Sequence, residues 1–134
     1  MRGGLVRANG PAPDVLTYGE MPTPMAGPGE VRVRLEGSGV NPADVGRRGG
    51  GYRAMEHPRV IPNSDGAGIV DQVGEGVTRL RIGQRVWLFN RQRNGRAFGA
   101  AAEYTSLAEH LVTPLPDKLS FAEGATLATL GMTP

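Results

Sequence analysis

Glu30-Val31-Arg32-Val33-Arg34-Leu35-Glu36-Gly37 decides how the chain is read. Val31, Val33 and Leu35 alternate with Arg32, Arg34 and Glu36, so an extended strand would turn one apolar face inward and one charged face to water. Pro28-Gly29 before it forms a turn, and residues Pro22 to Pro28 read as an extended connector. Asp14 to Glu20 is an earlier strand. Gly66 to Val73 is a later one, with glycines at 66 and 68 that mark a bulge or a close backbone approach. Arg85 to Phe89, Glu103 to Leu107 and Leu111 to Leu115 supply the remaining short strands, and Gly74-Glu75-Gly76 is a turn that needs positive φ.

Two short helices complete the order. Asn41-Pro42-Ala43-Asp44 places a capping residue, a proline at the first helical position and an acid in the first turn, and Gly49-Gly50-Gly51 ends that helix. The second opens at Ser120, with Glu123 three residues on as a capping box. With 21 glycines and 11 prolines spread between short apolar segments, the expected fold class is mostly β, a small irregular barrel or sandwich with two short helices.

Composition removes several function classes. The chain has no cysteine, which excludes disulfides and thiolate metal sites, and His57 and His110 are too few and too far apart for a zinc set. Fifteen basic residues against 13 acidic ones are scattered rather than striped, so no nucleic-acid partner is expected. No apolar run approaches the roughly 20 residues of a membrane span. Asn9, Gly10 and Pro11 interrupt the N-terminal apolar stretch, so a secretory leader is not expected and the expected location is cytoplasmic.

An ordered set of motifs resembles the N-terminal domain of the medium-chain dehydrogenase/reductase superfamily. The set is Gly29-Glu30-Val31-Arg32-Val33, Gly39-Val40-Asn41-Pro42-Ala43-Asp44, Pro62-Asn63-Ser64-Asp65-Gly66-Ala67-Gly68-Ile69-Val70, and Val73-Gly74-Glu75-Gly76-Val77-Thr78 running into Ile82-Gly83-Gln84-Arg85-Val86. Ala102-Glu103-Tyr104 and Gly131-Met132-Thr133 carry the likeness to the chain end. Gln84 stands where the family usually has aspartate, a departure in a turn. The resemblance implies a GroES-like β-barrel and makes residues 1–134 a catalytic, substrate-side domain.

Within that superfamily the resemblance points to the zinc-independent branch. Zinc-dependent members carry cysteine where this chain has Asn41 and histidine where it has Ser64, and the residues 90–96 lack their four cysteines. Asn41-Pro42-x-Asp44 followed by Tyr52 is similar to the quinone oxidoreductase and zinc-free enoyl reductase branch. There the asparagine lies near nicotinamide and substrate, and a tyrosine at this distance is the proposed proton donor. A phenol of pKa near ~10 can donate to an enolate, and an amide can orient a carbonyl. Thr133 matches a threonine that approaches the nicotinamide, and Asp65 stands where the family has an acid near the cleft. Apart from the resemblance, Asn41 reads as a helix cap, Tyr52 as a surface tyrosine, and Arg91, Arg93 and Arg96 as solvated loop charge. Tyr18 and Tyr104 read as packing residues.

The implied cofactor is NADPH, yet the chain has no Gly-x-Gly-x-x-Gly between strand and helix; Gly66-Ala67-Gly68 lacks the third glycine. The expected partners are therefore an enone or quinone substrate and a Rossmann domain supplied in cis or in trans, and a homo-oligomer is compatible with the family. A non-catalytic GroES-like binding module, and more remotely a co-chaperonin, are the alternatives.

Overall fold

The computed structural model describes residues 1–6, 16–39, 61, 65–88 and 99–126. Seven strands follow one another: β1 (Arg2–Val6), β2 (Leu16–Glu20), β3 (Glu30–Gly39), β4 (Asp65–Val73), β5 (Arg85–Leu88), β6 (Tyr104–Ala108) and β7 (Val112–Pro114). A 3-10 turn (Glu109–Leu111) joins β6 to β7, and one short helix, α1 (Phe121–Gly124), comes last. β1 and β2 form an antiparallel pair, and the other five form one antiparallel sheet in the order β6-β3-β4-β5-β7. Among the described residues this ladder runs open from β6 to β7. The first expected helix, from Asn41, lies outside the described residues. No described helix is long and apolar enough to cross a membrane.

The alternation in β3 is the one the sequence sets. Val31 and Val33 are fully buried and meet Val70, Leu80, Val86, Leu88, Ala100, Leu107 and Val112 in the main core. Complete burial of each such side chain contributes about 1.5–3 kcal/mol. A second, smaller cluster of Leu5, Met21 and Ile61 lies under β1. β1 was not foreseen, because Gly3-Gly4 breaks any alternation. Its glycine has a steric reason: a Cβ on Gly3 would stand 2.8 Å from the Ala102 Cβ, at the bridge that links β1 to the chain before β6.

Arg32 departs from the expectation of a solvated face. β4 carries an extra residue opposite the Arg32/Val33 step, since Arg32 pairs with Gln72 and Val33 with Val70. Such a bulge re-aims side chains. The skipped residue, Asp71, takes Arg32 in a two-toothed ion pair at 2.9 and 3.2 Å. The guanidinium lies over the Tyr104 ring at 5.0 Å and donates to the Pro24 carbonyl. Gln72 Oε1 accepts from the Ala26 amide at 2.7 Å. The proline-rich connector is thereby fastened across the outer face of β3 and β4. Tyr104 packs as expected, whereas Tyr18 is 73% exposed.

The glycines of β4 and its turn divide by cause. A Cβ on Gly68 would fall inside the van der Waals envelope of the Arg34 carbonyl oxygen, and one on Gly74 inside that of Gly27. Positive φ is confined in this turn to Gly76, at 84°. The expected capping box at α1 is present: Ser120 Oγ accepts from the Glu123 amide at 3.1 Å, and Glu123 Oε1 accepts from the Ser120 amide at 3.0 Å.

Two stability measurements check this account. Gly68→Ala is expected to cost at or above the ~3 kcal/mol upper end of overpacking, because backbone must move. Gly29→Ala, with φ of 71° and open space around it, costs about 1–2 kcal/mol for the left-handed conformation alone. Equal denaturation midpoints for the two variants would show that β3 and β4 separate freely. The second concerns Glu123, whose hydrogen bonds with Ser120 hold its carboxyl below the usual range. A depressed folded-state pKa stabilises above the unfolded value and is lost as pH falls through the folded one. Glu123→Gln should therefore lower the thermal midpoint at about pH 7, and the difference should shrink as pH falls through the folded-state pKa of Glu123. A constant difference across that range contradicts the cap's ionic character.

Candidate functional site

The register of the central strands decides where chemistry can gather. Gly39, the last residue of β3, pairs with Asp65, the first of β4. One residue further along β4, Gly66 pairs with Leu88, the last residue of β5. Three chain crossings therefore lie side by side at one edge of the sheet. From that edge the chain runs from Gly39 toward Asn41 two residues on, arrives from Ser64, and leaves β5 toward residues 90–96. Of the residues that the resemblance singles out, Asp65 lies at this edge.

Asp65 is the described member of that set. It is 1% exposed, and it is engaged in the fold rather than left bare. A buried carboxyl group costs several kcal/mol unless its oxygens are satisfied, so its place at the start of β4 is a built feature. Asn41, Tyr52, Ser64 and Thr133 lie outside the described residues, as do His57, Arg91, Arg93 and Arg96.

α1 closes over the same edge. Its inner side is Gly124 and Ala125, both buried. A Cβ on Gly37 would meet the Phe121 carbonyl oxygen at 3.3 Å and the Ala125 Cβ at 3.5 Å. At Gly39 a Cβ would overlap the Ala125 carbonyl oxygen. Gly37 and Gly39 sit two apart on one face of β3, and the helix turn rests on them backbone to backbone. Sequence reading missed this seat, whose trace in the sequence is the Gly-Ser-Gly at 37–39.

The opposite end of the sheet is filled. The Gly29 amide donates to the Glu75 carbonyl at 2.8 Å, Gly74 to Glu30 at 2.7 Å, and Glu109 to Gly29 at 3.1 Å. Arg79 donates to the Glu109 and Val112 carbonyls. Tight turns and satisfied backbone occupy that end.

Gly66-Ala67-Gly68 cannot cradle a pyrophosphate. Its residues pair with β3 on one side and β5 on the other, in mid-strand, whereas a phosphate cradle needs free amides at the start of a helix. This segment therefore does not fit a dinucleotide's phosphates. Among the described residues no group of three His, Asp or Glu residues gathers as a metal centre.

Comparison with known proteins agrees with this geometry. The alcohol dehydrogenase GroES-like domain matches residues 27–117. Quinone oxidoreductase of Pseudomonas aeruginosa is 37% identical over 121 residues, covering 90% of this chain and 35% of its own length. The 2-methylene-furan-3-one reductase of Solanum lycopersicum is 37% identical over 102 residues, covering 73% of this chain and 26% of its own length. Among solved structures, a Pseudomonas syringae pv. Tomato quinone oxidoreductase superposes with a TM-score of 0.84 at 32% identity, over 98% of this chain and 38% of that one. Escherichia coli quinone oxidoreductase complexed with NADPH gives 0.81 at 26% identity, over 94% and 36%. The chain spans two fifths or less of the length of these relatives. It belongs to the alcohol dehydrogenase GroES-like domain family.

Proposed function

We propose that this chain is the substrate-side domain of a zinc-independent, NADPH-dependent cytoplasmic oxidoreductase that reduces a quinone or an α,β-unsaturated carbonyl. The observation that carries the reading is the shared edge formed by Gly39 beside Asp65 and Gly66 beside Leu88. It gives the Asn41 segment, the Ser64–Asp65 segment and residues 90–96 one point of departure. Relatives named as quinone oxidoreductases and as an NADPH-dependent alkenal/one oxidoreductase support the substrate class.

With asparagine and serine at the positions of zinc ligands, charge that develops on a substrate oxygen must be met by hydrogen-bond donors. In this proposal the Asn41 amide orients the carbonyl, and Tyr52 gives its phenolic proton to the α-carbon of an enone. The dinucleotide, which would bring the hydride, is held by a further domain in cis or in trans, because β4 has no phosphate cradle. Quinone needs the phenol less, since the hydroquinone oxygens can take protons from water.

The test is kcat/KM for an enone and for a quinone in the full-length or reassembled enzyme. Tyr52→Phe should lower the enone value by ~10²–10³, the usual cost of one lost donor, and spare the quinone value more. Asn41→Ala should lower both, and a zinc chelator should change neither. Unchanged rates for both substrates in Tyr52→Phe would reduce Tyr52 to a loop residue.

A further inference from the structure

We propose that Arg85 is a positioning residue for this site: from the start of β5 it sets where α1 rests on Gly37 and Gly39, and so the placing of the Gly39–Asp65 edge. The proposal rests on the functional reading above and adds a residue that touches neither Gly37, Gly39 nor Asp65 in any contact described for them.

α1 is a single turn, four residues long. A helix this short has no stability of its own, since nucleation alone is unfavourable and even peptides of ~12–15 residues are marginal. Its position is therefore set by what holds its two ends. The C-terminal end presses backbone on backbone against β3. A Cβ on Gly124 would stand 2.9 Å from Leu115 Cδ1 and 3.1 Å from the Ala67 Cβ, so the turn is packed directly on Leu115 and β4. In close-packed matter a shift at one end is passed to the other.

Arg85 grips the N-terminal end. Its Nη1 donates to the Pro116 carbonyl at 3.1 Å and its Nη2 to the Leu119 carbonyl at 2.6 Å. The guanidinium lies over the Phe121 ring, 4.6 Å from its centre. The Leu115 amide donates to the Arg85 carbonyl at 2.9 Å, so the residue holds the turn from both sides. Asp117, at 3.9 Å and fully exposed, adds little. A forked planar cation makes two carbonyl bonds and a ring stack at once; an ammonium cannot. Leu88, at the far end of the same short strand, belongs to the site edge. One strand thus contributes both a border of the site and the clamp on the turn that covers it.

The test has a spectroscopic and a kinetic arm. In the 134-residue chain, Arg85→Met should move the amide resonances of Gly37, Gly39, Asp65 and Ala125 as well as those of 115–121. Arg85→Lys should move the same set in the same direction by less, and carries the test should the Met variant fail to fold. Leu107→Ala, a destabilising change in β6, should leave that set in place. In the full-length enzyme, Arg85→Met should lower kcat for quinone about tenfold with KM changed less than twofold, within the ~10² that a misplacement of about 1 Å can cost. Shifts confined to 85 and 115–121 overturn the proposal, and so does an unchanged kcat alongside moved Gly39 and Asp65. A parent enzyme that reduces neither quinone nor enone contradicts the functional reading instead, and the spectra still decide whether Arg85 governs Gly39.

Discussion

β3 and β4 pair along their length, and they approach so closely that the Arg34 carbonyl occupies the space of any side chain at residue 68. Everything else is hung on that crossing. β6 joins β3 on its free side, β5 joins β4, and β7 joins β5, so a sheet of five strands follows from one tight pair. Two irregularities in the pair shape its faces. The extra residue in β4 delivers Asp71 to Arg32, and the skipped Glu36 in β3 brings Gly37 opposite Ala67 and so sets the register that ends at Gly39 and Asp65. Bulges of this kind bend a strand and stop regular pairing, which suits the border of a site.

That register also separates the two ends of the sheet by purpose. At one end, the turns at Gly29 and Gly74 close on one another with their amides satisfied, and Arg79 ties down the 3-10 turn. At the other, three chain crossings end in a row beneath a single helical turn that has glycine for its seat. Backbone contacts replace side chains there, at Gly37 and Gly39, so the geometry of this end is stiff. Catalysis by hydrogen bonding depends on such stiffness, since donors placed in advance cost no reorganisation at the moment of reaction.

Much of this was legible in the residues. The β3 alternation, the strand after Gly66, the Arg85 strand and the Ser120 cap were each readable, because they depend on periodicity and local hydrogen bonds. The connector before β3 was also readable, from its prolines. What escaped has a common physical cause: it depends on contacts between residues far apart in sequence. β1 has no pattern of its own and becomes a strand through its pairing with β2 and the approach of Gly3 to Ala102. Arg32 looked solvated because nothing local tells that a bulge will bring Asp71 to it. Gly74 looked like a turn glycine for its φ, whereas its need is room for the Gly27 carbonyl. The α1 seat on Gly37 and Gly39 joins residues more than 80 positions apart. Family motifs, by contrast, named Asn41, Tyr52 and Thr133 without geometry, and all three lie outside the described residues.

The central claim is that chemistry belongs to the edge formed by the ends of β3 and β5 and the start of β4. The most direct measurement is an amide chemical-shift map of the labelled 134-residue chain, titrated to millimolar concentration with a water-soluble quinone or enone. Shifts grouped at Gly37 to Gly39, Asp65, Gly66, Leu88 and Ala125 are the result this account predicts. Shifts grouped instead at Gly27 to Gly29, Gly74 to Val77 and His110 would contradict it, because they would place the ligand at the closed end.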